Sequence, residues 1–187
     1  MIQTTLNRWS QVRHKRILRI AFFTVVILIG AQVRILLPGT PVPFTLQTLG
    51  VLLAGMALGP MEGTASVIGY LGLVAAGIDG RGVAAFASPT AGFLLGFIPG
   101  AFIAGLAWRT AERVRFPLSV ACGLLGVAAV FALGMAWLAN YTHSWEAAFM
   151  AGVVPFIFVD FGKVLLAASL VRLGRESWLR WFALGGE

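Results

Sequence analysis

The sequence predicts an all-α membrane protein with six transmembrane helices and both termini cytoplasmic, and three observations predict it. Apolar side chains make up 59% of the 187 residues and charged ones 11%, against about 25% charged in ordinary soluble domains, so the chain cannot cover itself with polar surface. Six apolar runs, bounded by glycine, proline or charge, approach the roughly 20 residues needed to cross a bilayer core about 30 Å thick. Eleven of the fourteen lysines and arginines fall on one side of those runs, the asymmetry of the positive-inside rule.

In order, the spans are 17–37, 44–59, 63–77, 91–108, 117–139 and 148–171, within a single polytopic membrane domain over 1–187. The first follows a basic segment, and because no small-residue cleavage pattern comes after it, it reads as a retained helix. The second and third are short and separated only by Pro60, Met61 and Glu62. Reading them as one kinked segment would give five crossings and would put the last basic cluster outside. With six, the inner segments hold Arg8, Arg13, Lys15, Arg16 and Arg19, then Arg109, Arg113 and Arg115, then Arg172, Arg175 and Arg180. Only Arg34 and Arg81 lie on the opposite side, and Lys163 is inside the last span. Arginines so placed flank apolar spans, which makes them topology determinants and argues against nucleic-acid binding. Cys122 is the only cysteine, so neither an internal disulfide nor a cysteine-rich metal cluster can form.

Two outer segments stand apart. Pro38, Pro41 and Pro43 fix φ and remove backbone donors, so the stretch from Pro38 to Gln47 cannot be regular helix. The segment from Ile78 to Thr90 is long, glycine-bearing and mildly polar. Irregular backbone at membrane depth is tolerated where it is buried in protein or lines a cavity, and both segments belong to the same face. On the fourth span Gly92, Gly96 and Gly100 recur every four residues, a smooth stripe suited to close helix packing within the chain or to a partner.

Asp160 and Lys163 carry the most information. They sit three residues apart in an otherwise apolar stretch and so share a helix face. Each costs at least about 2.5–3.5 kcal/mol to insert in a membrane, so such groups face a cavity or one another and mark function. A structural salt bridge is the competing account. Arg81 can clamp a carboxylate bidentately or stay solvated in its loop, whereas Arg34 is expected to snorkel to the interface. Thr45, Gln47, Ser88 and Thr90 offer hydroxyl and amide groups to a polar ring. Phe44, Tyr70, Phe86 and Trp145 offer apolar walls.

Enzyme signatures are missing: there is no HExxH, no Gly-rich loop ending in Gly-Lys-Ser or Gly-Lys-Thr, and no GxSxG. His14 and His143 fall on opposite sides of the membrane, and Glu62 and Glu112 lie in inward loops away from Asp160. Neither a metal site nor a paired-carboxylate acid and base can be assembled, so no catalytic residue and no metal ligand is expected.

Several strings together carry a resemblance: Gly30-Ala31-Gln32, the run from Pro41-Val42-Pro43-Phe44 through Thr45-Leu46-Gln47, Leu58-Gly59-Pro60, Ser88-Pro89-Thr90-Ala91-Gly92, and Pro155-Phe156 through Asp160 to Lys163. In this order and spacing they resemble the BioY family, the biotin-specific S components of energy-coupling-factor transporters. The resemblance implies six helices in a bacterial-type inner membrane and high-affinity capture of biotin from the outer face. It also implies uptake driven by ATP hydrolysis on separate subunits, with a transmembrane coupling subunit and two ATPases as partners and no cofactor in this chain. The Asp160 to Lys163 stretch and the pair Thr45 and Gln47 match the family's ligand-binding strings. Asp160 then suits the N–H groups of the biotin ring, and Lys163 or Arg81 its carboxylate. An S component for another vitamin is the alternative, and a homo-oligomer is left open. Three departures accompany the match: Arg34 stands where members more often have an apolar or small residue, the loop from Gly80 to Pro89 is less glycine-rich than usual, and Ala21 is followed four residues later by Val25 rather than by the second alanine of the family's docking pair.

Overall fold

The computed structural model describes the backbone of residues 2–107 and 116–183, and side chains within 13–107 and 116–174. The chain runs α1 (Ile2–Gln32), β1 (Arg34–Ile35), β2 (Phe44–Thr45), α2 (Gln47–Leu58), α3 (Pro60–Ala75), a 3-10 turn (Gly82–Ala87), α4 (Ala91–Gly105) and α5 (Phe116–Thr142). It ends with α6 (Trp145–Gly152), a second 3-10 turn (Val154–Phe156) and α7 (Ile157–Ala183). Arg109, Glu112, Arg113 and Arg115, and the side chains of Arg8, Arg175 and Arg180, lie outside the described residues.

The division between the second and third spans has a local cause. Gly59 alone joins α2 to α3, at φ 85 and ψ 176, a left-handed region that a side chain would strain. Pro60 then opens α3 at its first position, where its missing N–H costs nothing. These are two helices and not one kinked segment. The last span departs from its expected form: 148–171 is split into α6 and α7, with Pro155 in the 3-10 turn between them, because proline cannot donate the bond that a continuous helix needs. Ser144 caps α6 by accepting from the backbone N–H of Ala147 at 3.2 Å.

Packing centres on α4, which lies against α5, α2 and α3, while α1 packs on α2 and α3, and α7 on α2 and α5. The glycine stripe makes the α4–α5 contact. A Cβ added at Gly96 would stand 2.9 Å from the Cα of Val130, and one at Gly100 would stand 2.8 Å from a Val130 methyl; Gly92 faces Leu133 and Trp137 in the same way. The stripe is therefore an internal packing surface, and dispersion between closely approaching backbones holds it. Ala21 and Val25 instead lie on the exposed side of α1.

Large apolar side chains face outward around the bundle, among them Leu18, Ile29, Leu125, Phe158, Leu166 and Leu173. Among the described residues, Phe116–Thr142 and Trp145–Gly174 are long and apolar enough to cross a membrane, and Gln47–Leu58 and Ala91–Gly105 are shorter apolar helices. At the end of the bundle away from the two irregular segments, Glu62 in the first turn of α3 receives Arg16 at 3.4 Å and Arg19 at 3.3 Å from α1. It belongs to a helix rather than to a loop.

Candidate binding site

The two irregular segments come together over one end of the bundle. The proline-rich stretch returns on itself through an antiparallel two-residue ribbon in which Arg34 pairs with Thr45 and Ile35 with Phe44. It is fastened at both ends: the N–H of Leu46 donates to the Gly30 carbonyl at 3.1 Å, and the Thr40 hydroxyl donates to the Ala151 carbonyl at 2.6 Å. Gly30 is needed there, since a Cβ would lie 2.9 Å from the Leu46 oxygen. The second segment is held to α5, where the Trp137 indole donates to the Ser88 carbonyl at 3.0 Å and the Tyr141 hydroxyl donates to the Ala87 carbonyl. Backbone that sequence marks only as irregular is thus fixed in place by hydrogen bonds to distant helices.

Between these segments, the first turns of α2, α4 and α7 and the middle of α5 lies a cavity of about 420 Å³, within the range of small-molecule sites. Six predicted residues line it together: Thr45, Gln47, Arg81, Ser88, Asp160 and Lys163. Thr90 lines it too. Asp160 and Lys163 are 4% and 6% exposed, and the Lys163 ammonium donates to the Asp160 carboxylate at 2.5 Å. The salt bridge and the cavity wall are therefore the same pair of side chains. Asp160 stands in the first turn of α7, where the helix dipole favours a negative charge.

Three predicted wall residues are not wall residues. Tyr70 is fully buried behind the cavity, where its hydroxyl accepts from the Gln47 amide and, at 2.9 Å, from Arg81. Phe44 lies under Lys163, whose ammonium sits 4.7 Å from the ring centroid, a cation–π contact. Phe86 packs against the main core. In each case the ring is engaged by a tertiary contact that its own segment does not reveal, and none of the three lines the cavity. Trp145 is 62% exposed and lies at the α5–α6 turn, away from the site.

Sequence reading missed the actual apolar walls, Phe93, Leu94 and Phe97 of α4 with Phe131 and Phe156. A signal existed, because Phe93 and Phe97 are four residues apart, as are Phe156 and Asp160, and such pairs share a face. It also missed the placement of Arg34. Instead of snorkelling, this side chain lines the cavity, donates from Nε to the Ala31 carbonyl at 2.9 Å and approaches Asp79 at 3.6 Å. Asp79 has 0% side-chain exposure and binds Arg81 through Nε at 2.6 Å and Nη2 at 2.5 Å. Two guanidinium groups therefore share one carboxylate, which leaves one positive charge in excess. Burial orders the charges, with the neutral Asp160–Lys163 pair sealed as a floor and the arginines, 35% and 22% exposed, at the rim. Among the described residues no group of three potential metal ligands occurs.

The chain is similar to known proteins. The chain is 36% identical over 161 residues to the biotin transporter BioY of Thermotoga maritima, covering 83% of this chain and 93% of that one. It is 37% identical over 170 residues to the biotin transporter BioY of Rhizobium etli, with coverages of 83% and 90%. In three dimensions it superposes on a crystal structure of the S-component for biotin from an ECF-type ABC transporter with a TM-score of 0.79 and 29% identity, over 88% of this chain and 92% of that one. With the BioY family model matching residues 3–180, the chain belongs to the BioY family.

Proposed function

We propose that this protein is the substrate-binding S component of an energy-coupling-factor transporter, and that it captures biotin from the outer face for uptake across the cell membrane. The cavity carries the reading: a sealed acid–base pair as floor, aromatic walls, and an excess positive charge at the rim. Biotin presents the complement of each. Its ureido ring offers N–H donors to Asp160 and a carbonyl acceptor to Lys163, its thiophane ring and chain are apolar, and its carboxylate suits the arginine rim. Thr45, Gln47 and Ser88 supply further polar contacts to the bound molecule.

Six crossings with both termini cytoplasmic is the arrangement we assign. The basic clusters on one side support it, as does the separation of α2 from α3 by Gly59. The sequence holds no Gly-rich loop ending in Gly-Lys-Ser or Gly-Lys-Thr, and we assign the energy for release to two ATPase subunits acting through a transmembrane coupling subunit. The exposed side of α1 around Ala21 is the docking surface we assign to that subunit.

Titration of the purified protein with radiolabelled biotin tests the reading. Saturable binding below micromolar concentration, undisturbed by excess thiamine or riboflavin, is the expected result. Absence of saturation in that range, or displacement by either vitamin, overturns it.

A further inference from the structure

Resting on the biotin reading, we infer that Arg34, and not Arg81, is the residue that takes the ligand carboxylate and makes the site selective for the free acid. The two arginines differ in how fully the protein occupies them. Arg81 spends Nε and Nη2 on Asp79 at 2.6 and 2.5 Å, and its Nη2 also donates to the Tyr70 hydroxyl at 2.9 Å. Its backbone N–H donates to the same carboxylate at 3.0 Å. This closes a tight loop around a carboxylate with no solvent exposure, and it links through Tyr70 to Gln47 and Thr45. Arg81 is a structural clasp of the second outer segment.

Arg34 is held more loosely. Its Nε donates to the Ala31 carbonyl at 2.9 Å, which aims the guanidinium, but its Nη2 stands 3.6 Å from Asp79, beyond ordinary hydrogen-bond length. Asp79 is already neutralised by the nearer Arg81, so the excess positive charge of the rim resides on Arg34. It is the more exposed of the two and lines the cavity. Pairing with Thr45 across the β1–β2 ribbon sets it beside the polar residues of the site. A guanidinium with its fork open toward a cavity recognises a planar carboxylate and loses that contact with an amide.

Arg34→Gln, Arg34→Lys and Arg81→Gln, each titrated with biotin and with neutral biotinamide, separate these roles. The wild type should prefer biotin. Arg34→Gln should weaken biotin by about tenfold or more and leave biotinamide unchanged, Arg34→Lys should restore part of the preference, and Arg81→Gln should weaken both ligands together. Equal loss of both ligands in Arg34→Gln, no loss of biotin, or a selective loss of biotin in Arg81→Gln alone overturns the assignment. So does a wild type that binds biotin and biotinamide equally, which leaves the biotin reading standing; a wild type that binds neither ligand removes that reading instead.

Discussion

Replacing Asp160 by asparagine asks whether the buried pair serves the ligand or only the fold. Asp160 and Lys163 side chains are 6% and 7% exposed and meet at 2.5 Å. Asparagine keeps the size but withdraws the counter-ion, leaving an ammonium sealed among Phe44, Phe156 and the walls of the cavity. Breaking one partner of a buried pair costs about 3–5 kcal/mol, whereas replacing both by neutral groups of similar volume is often close to neutral. Asp160→Asn should therefore lower Tm sharply, and the double variant Asp160→Asn with Lys163→Met should recover most of the loss. Biotin affinity should behave differently. Each charge-assisted hydrogen bond to the ureido ring is worth about 1.5–3 kcal/mol, so losing one weakens binding by roughly 10- to 150-fold, and the double variant should bind no better than the single one. Thermal unfolding followed by tryptophan fluorescence, beside equilibrium binding of labelled biotin on the same samples, reads both quantities. If the double variant regains affinity along with stability, the pair is structural alone and the assignment of Asp160 and Lys163 to the ligand is refuted.

Other outcomes follow from contacts farther from the pair. Gly134 packs against the ring of Phe93, a cavity wall, so Gly134→Ala should push that ring inward and reduce biotin affinity in protein that still unfolds cooperatively; unchanged affinity would count against Phe93 as a wall. Gly96→Val meets the Val130 backbone at 2.9 Å, which cannot yield as a side chain can, and should cost about 1–3 kcal/mol or more as overpacking, seen as a lower Tm. Glu62→Gln releases Arg16 and Arg19, but these partly exposed pairs are worth at most about 1 kcal/mol. Biotin affinity should not change, since Glu62 lies near the start of α3, which ends at Ala75, and the helical rise over that stretch puts about 20 Å between it and the rim end. In a Cys122→Ala background, a single cysteine at Ala84 should react with an impermeant thiol reagent in intact cells and one at Arg13 should not; the reverse pattern would invert the assigned topology.

Hydropathy and charge were enough to read a helical membrane protein from the sequence, because insertion energetics act on each segment separately and need no knowledge of its neighbours. The irregular segment from Pro38 to Gln47 was equally legible, since three prolines exclude a helix by local stereochemistry. Asp160 and Lys163 could be picked out for the same reason: a charge in an apolar run is conspicuous wherever the run folds. What tertiary structure decided is orientation. Phe44, Tyr70 and Phe86 have the composition of pocket walls but do not line the cavity, while Phe93 and Phe97 do, with Gly92 and Gly96, one position earlier on α4, pressed against α5. The break at Pro155 became visible only once α6 and α7 were seen as separate helices. Arg34 and Arg81 look alike as isolated basic residues. Only Asp79, two residues from one arginine and forty-five from the other, distinguishes a clasped guanidinium from an open one, and a contact of that reach is set by how the whole chain closes on itself.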